Sequence, residues 1–171
     1  GLIMANPIYG QNKLDDKLDL LSNGKKDVIT LTAATTLSAS DAGKLICVNA
    51  AAIAVTLPSA EAGMEFDFVF FIDTTAGATV VASSGDCFFG TLTVNSATKT
   101  KSSAQSIDHA TAIGTVASYD NLDFVHDSQT LGGKAGDSVK LIAVDSTAWM
   151  VNGAIMTDGN DPDAIAAINA G

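Results

Sequence analysis

The sequence predicts an all-β fold, a compact antiparallel β-sandwich or barrel, and three observations carry that expectation. Short apolar or alternating runs recur at even spacing, turn chemistry separates them, and no strand–helix alternation is present. The clearest run, Glu65 to Asp73, places Phe66, Phe68, Phe70 and Ile72 on one face and Glu65, Asp67, Val69 and Phe71 on the other. Such a strand buries aromatics on one side and shows carboxylates on the other. A length of 171 residues suits one folded domain with a substantial core. We divide the chain into an N-terminal arm (1–27), a β-domain (28–157) and a C-terminal tail (158–171).

In the arm, Pro7, Gly10, Gln11 and Asn12 read as an extended or turning segment. Leu14, Leu18 and Leu21 then recur at helical spacing, with Asn12 as a cap and Gly24 as a stop. So short a helix is marginal alone in water and needs a surface for its leucines. That surface is either its own domain or a neighbouring subunit. Val28 to Thr32 opens the β-domain, followed by a turn over Ser38 to Gly43. Lys44 to Ala50 and Ile53 to Leu57 are strands. Pro58 ends the second, because proline lacks the ladder donor. Ser59 to Gly63 fits one helical turn, with serine capping and glycine closing.

Ala78 to Ala82 is the next strand, and Ser83 to Asp86 is a turn. Cys87 to Phe89 and Leu92 to Val94 read as two short strands. Asn95 to Ala110, rich in Ser, Thr and Lys, reads as a long loop with room for a hairpin. Ala112 to Tyr119 and Leu122 to His126 form a strand pair around Asp120-Asn121. A glycine-rich connection, Gln129 to Asp137, precedes a closing hairpin of Ser138 to Asp145 and Ala148 to Met156. In the tail, Asp161 caps and Pro162 begins a short C-terminal helix.

Composition narrows the function. Nineteen acids against nine bases give a net charge of −10, and every base is lysine. Nucleic-acid binding needs clustered cations, and bidentate base reading leans on arginine. The lysines here are scattered, so a nucleic-acid partner is not expected. No run reaches the apolar length of a membrane span, and the first ten residues lack the pattern of a signal peptide. Met4 reads as a native start, with Gly1 to Ile3 either an appended remnant or the product of an upstream start. Cys47 and Cys87 in apolar strands read as buried free thiols, in keeping with assembly in a reducing cytoplasm.

Catalytic and metal motifs fail on spacing. Asp158 to Asp163 is rich in acids, but Pro162 occupies the fifth position and no bidentate acid closes a calcium loop. Asp108-His109 and His126-Asp127 are adjacent pairs, which point to opposite faces of a strand. Gly132 to Ser138 has its lysine before the last glycine, unlike a phosphate loop. Trp149 reads as a core or interface anchor. The expectation is a non-enzymatic protein without metal or cofactor.

The series Asp41-Ala42-Gly43-Lys44, a strand ending at Leu57-Pro58, the Gly63 turn and the Phe-rich strand resembles a β-module of tailed-phage virion proteins. Gly132-Gly133-Lys134-Ala135-Gly136-Asp137-Ser138 and Ala148-Trp149-Met150-Val151-Asn152-Gly153 resemble it too. The opening Met4 to Lys13 is similar to the start of structural proteins from marine phages. The resemblance implies a virion structural protein, of head or tail; the favoured expectation is a capsid decoration, or cement, protein on the capsid exterior, binding the major capsid protein as a homotrimer. Its contact residues would be Pro7, Ile8, Tyr9, Leu14 and Leu18. The alternative is a tail-fibre or receptor-binding domain that takes host glycans through Asn95 to Ala110.

Overall fold

Alternation along the strands decides the architecture, because each strand buries one row of side chains and leaves the other row outward. A computed structural model describes residues 24–96, 102–107, 120–124 and 132–157. Its strands are β1 (Val28–Leu31), β2 (Thr35–Thr36), β3 (Leu45–Val48), β4 (Ala52–Thr56), β5 (Glu65–Phe70) and β6 (Gly77–Val81). They continue with β7 (Cys87–Ser96), β8 (Ser102–Ile107), β9 (Asn121–Phe124), β10 (Ser138–Ala143) and β11 (Ala148–Thr157). The only helical piece among the described residues is a single 3-10 turn, Ala39–Asp41.

Two sheets result, a seven-stranded one ordered β1-β3-β5-β10-β11-β7-β8 and a four-stranded one ordered β2-β4-β6-β9. Neither closes into a barrel. Both are mixed, which corrects the antiparallel expectation. From β1 to β6 the chain steps from one sheet to the other at every strand, so neighbours within a sheet run the same way. β1 lies parallel to β3 and β3 to β5, while β2 lies parallel to β4 and β4 to β6. Three turns of a flattened coil are the outcome. The β10–β11 hairpin then fills the gap between β5 and β7, antiparallel to the first and parallel to the second.

The core lies between the sheets. Phe66, Phe68, Phe70, Phe88, Phe124 and Trp149 are all fully buried. Phe70 meets Phe124 of the other sheet at a centroid distance of 4.9 Å, and Phe66 meets Trp149 at 5.8 Å. Each such pair adds about 0.5–1.5 kcal/mol beyond its buried area. Trp149 is thus a core residue.

Four strands of the large sheet are launched by one kind of turn. Asp41–Lys44, Glu61–Met64, Ser83–Asp86 and Lys134–Asp137 each close an i+3 to i backbone hydrogen bond of 2.9–3.2 Å. Each holds glycine at the third position with φ of 82° to 99°. At Asp41–Lys44 the dihedrals of Ala42 (−58°, 142°) make it type II, the turn that requires positive φ there. The turns precede β3, β5, β7 and β10. Two of them end in a buried aspartate that gathers backbone donors. Asp86 accepts from the Ala60 N–H, and Asp137 accepts from the N–H groups of Gly133, Lys134 and Met156.

Several expectations need correcting. Ser59 to Gly63 is not a helical turn: Gly63, with φ of 92°, closes a β-turn over Glu61–Met64, and the Ala60 N–H donates to the Asp86 carboxylate. Cys87 to Val94 is one unbroken strand. Gly90 lets it run close against β11, where a Cβ would strike the Val151 carbonyl. The polar segment after Asn95 is not all loop, since Ser102–Ile107 pairs antiparallel with β7. Cys47 and Cys87 are free, as expected, but half-buried and outward-facing. The arm helix, the strand at 112–119 and the C-terminal helix lie outside the described residues.

Substitution at the glycines separates backbone conformation from crowding. Gly43→Ala meets open space and should cost about 1–2 kcal/mol, the penalty of positive φ alone. Gly90→Ala forces backbone apart and should cost about 3 kcal/mol or more in urea unfolding. Equal losses would contradict the close approach of β7 to β11.

Candidate functional site

Of the two described sheets, the seven-stranded one presents more strands on its outer face. One register row crosses it as Val28, Leu45, Asp67, Lys140, Asn152 and Thr91. At its centre two lysines and two acids interlock. Lys140 Nζ lies 2.7 Å from Glu65 Oε1 and 3.7 Å from Asp67 Oδ1. Lys26, arriving just ahead of β1, pairs with Asp67 and sits 3.7 Å from Glu65. Strand pairing builds the cluster: β5 alternation turns both acids outward, and β10 sets Lys140 directly opposite Asp67. The Glu65 hydrogen bond, and then the Asp67 charge, hold the Lys140 proton more tightly than usual against the opposing effect of burial. The contribution of Lys140 to stability is therefore present below the ordinary lysine range and is lost as pH rises beyond it. The cluster cancels charge in the middle of an acidic protein, and it is an ion ladder, not an acid–base pair.

Beside it runs an open groove of about 280 Å³, lined by Asp67, Val69, Ser138, Lys140 and Asn152. That is below the usual size of a small-molecule pocket. No group of three or more His, Cys, Asp or Glu residues fit to hold a metal exists among the described residues. Cys87 is the thiol nearest to reactive company, but burial first, and then the charges of Asp145 and Asp86, push its pKa up. A thiol so placed stays protonated and is a poor nucleophile. Asp145 goes the other way: the Thr147 backbone N–H holds its carboxyl below the usual range, fixing the β10–β11 turn. The described part of the glycine-rich connection, Gly132 to Asp137, is pinned. Thr74 Oγ1 donates to the Gly133 carbonyl, and the Ala135 N–H donates to Asp73.

The expected contact residues Pro7, Ile8, Tyr9, Leu14 and Leu18 lie outside the described residues, as do His109, His126 and Asp158 to Asp163. The ladder of Lys26, Glu65, Asp67 and Lys140 escaped sequence reasoning. Alternation marks Glu65, Asp67 and Lys140 as outward, but only the register brings position 140 to position 67. No protein-family model, curated protein or solved structure matches this chain.

Two measurements check this chemistry. Cys87 should alkylate with iodoacetamide well below the rate of a free cysteine peptide at pH 8, and an equal rate would contradict its surroundings. Asp41 is held down to about 2 by Lys44 and by the Ser38 hydroxyl and N–H. Its contribution to stability is present above the ordinary value of 3.8 and fades as pH falls toward about 2. Asp41→Asn should remove that part of the acid-side loss in a pH series of unfolding midpoints.

Proposed function

We propose that this protein is a non-enzymatic virion component that decorates a phage capsid from outside and stabilises it by binding the major capsid protein lattice. It acts as a trimer, and the arm bearing Pro7, Ile8, Tyr9, Leu14 and Leu18 makes the contact. The observation that carries this reading is the position of the residues behind the phage resemblance. Asp41–Lys44, Gly63 with the Phe-rich strand, and Lys134–Asp137 launch β3, β5 and β10, three adjacent strands of one sheet. The described residues behind the resemblance therefore sit at neighbouring turns and strands of one sheet. A pinned two-sheet body with a charge-balanced outer face is suited to occupying a surface.

Binding spread over several capsid subunits resists internal pressure through avidity. The acidic excess keeps the solvent side soluble and repels stray DNA. The glycan-binding alternative loses part of its loop, because Ser102–Ile107 is committed to the sheet.

Removal of residues 1–23, which spares Lys26 and its ladder, should leave the circular dichroism of the β-domain unchanged and abolish cosedimentation with empty capsids. Undiminished binding by the shortened protein would overturn the role of the arm.

A further inference from the structure

The first turn of the coil is its open end. β1 closes the order of the seven-stranded sheet and β2 that of the four-stranded one, and no described strand pairs with the outer side of either. From Val28 to Ser40 this turn carries no charged residue and no proline, in a chain of net charge −10. Sheet edges are normally guarded by charge, proline or extreme shortness. At the far edges β9 carries Asp123 and β8 is polar, whereas β1 reads Val-Ile-Thr-Leu. Its outward backbone is also set for pairing. The Leu45 N–H donates to the Asp27 carbonyl and the Asn49 N–H to the Leu31 carbonyl, both at 2.8 Å, so the odd positions face β3. Val28 and Thr30 therefore turn their N–H and C=O groups away from the sheet. Both residues are exposed, Val28 by 57%.

We propose that β1 pairs antiparallel with β1 of a second copy of this chain, about a two-fold axis at Ile29. Val28 then faces Thr30 of the second copy and Thr30 faces its Val28, and each pair exchanges both backbone hydrogen bonds. β-Branched residues set opposite one another suit cross-strand pairing. Ile29, half-buried against the core, meets its own counterpart. Lys25, Lys26 and Asp27 fall outside the paired centre, opposite Ala33, Thr32 and Leu31, so no like charges oppose one another. The axis stands normal to the sheets and relates like sheet to like sheet, which carries β2 toward β2 of the second copy. A second copy is the occupant this edge selects, because the two-fold makes one uncharged strand complementary to itself. The net charge sets copies against each other over most of an acidic surface, and this turn offers an approach without it. So small a contact is weak and concentration-dependent. It forms in isolated protein and does not rest on the proposed function; on a capsid it would join one trimer to the next.

Sedimentation equilibrium of the full chain tests the contact. The assembled unit should double in mass between micromolar and millimolar protein. Thr30→Pro removes one outward N–H from each copy and leaves the bonds to β3 in place, since proline is tolerated where an edge N–H faces solvent. It should weaken the doubling by about tenfold or more, with unchanged circular dichroism. A unit that never doubles, or a doubling that Thr30→Pro leaves intact, overturns the proposal. A second variant keeps the test decisive where the proline disturbs the fold. In a Cys47→Ser, Cys87→Ser background, Ile29→Cys sets two thiols at a pair without hydrogen bonds, with Cα atoms about 4.5 Å apart. Oxidation should give a covalent dimer whose yield rises with concentration, and absence of that dimer overturns the proposal as well. Both readouts use isolated protein, so their failure is separate from a failure to bind capsids.

Discussion

The insertion of the β10–β11 hairpin between β5 and β7 is the constraint on which the rest of the structure depends. Before it, the chain has wound a three-turn coil from β1 to β6 and laid down β7 and β8 at a distance. Without the hairpin, β5 and β7 would each present an open edge, and unpaired edges invite association with other chains. The hairpin closes both. β11 runs beside β7 in continuous register from Ala148–Cys87 to Thr157–Ser96, and β10 lies against β5 from Ser138–Val69 to Ile142–Glu65. It also brings Trp149 onto Phe66, so that one element completes the ladder and the core together. The pairings of the hairpin with β5 and β7 are distant in sequence and must pay loop-closure entropy before they return stability, which points to slow folding.

Repetition in the turns gives this arrangement its registers. A glycine with positive φ launches β3, β5, β7 and β10, and two of the turns end in a buried aspartate that collects backbone N–H groups. Those carboxylates are costly to bury unless hydrogen-bonded, and here they are. Asp137 ties the loop before β10 to Met156 near the finish of β11, so the hairpin is anchored at its open end. Asp145 fixes the opposite end through Thr147.

Much of this was legible in the residues. Alternation at Glu65 to Phe70 marked the buried aromatics. Pro58 marked the end of β4, and Asp145-Ser146-Thr147 marked the closing turn. What stayed hidden is what alternation does not encode. A period of two says which side a residue takes, but not which strand lies next to it. The parallel coil, the hairpin insertion and the Lys26–Glu65–Asp67–Lys140 ladder all arise from strand order. Ser102 to Ile107 was hidden for another reason: its polar composition lacks the β-branched signal, and its pairing with β7 is a tertiary effect. Gly90 suggested a break between two strands, yet it serves a close approach of backbones.

Turns and core tie the described strands together, and the centre of the large sheet's outer face balances charge instead of concentrating it. In the proposed function the two-sheet body occupies the surface and the segment before it attaches. Electron cryo-microscopy of intact particles tests that division most directly. The account predicts density for a two-sheet domain at every equivalent three-fold position of the capsid exterior, with its arm running onto neighbouring subunits. Particles whose capsids carry no such density, or carry it only on the tail, would contradict it.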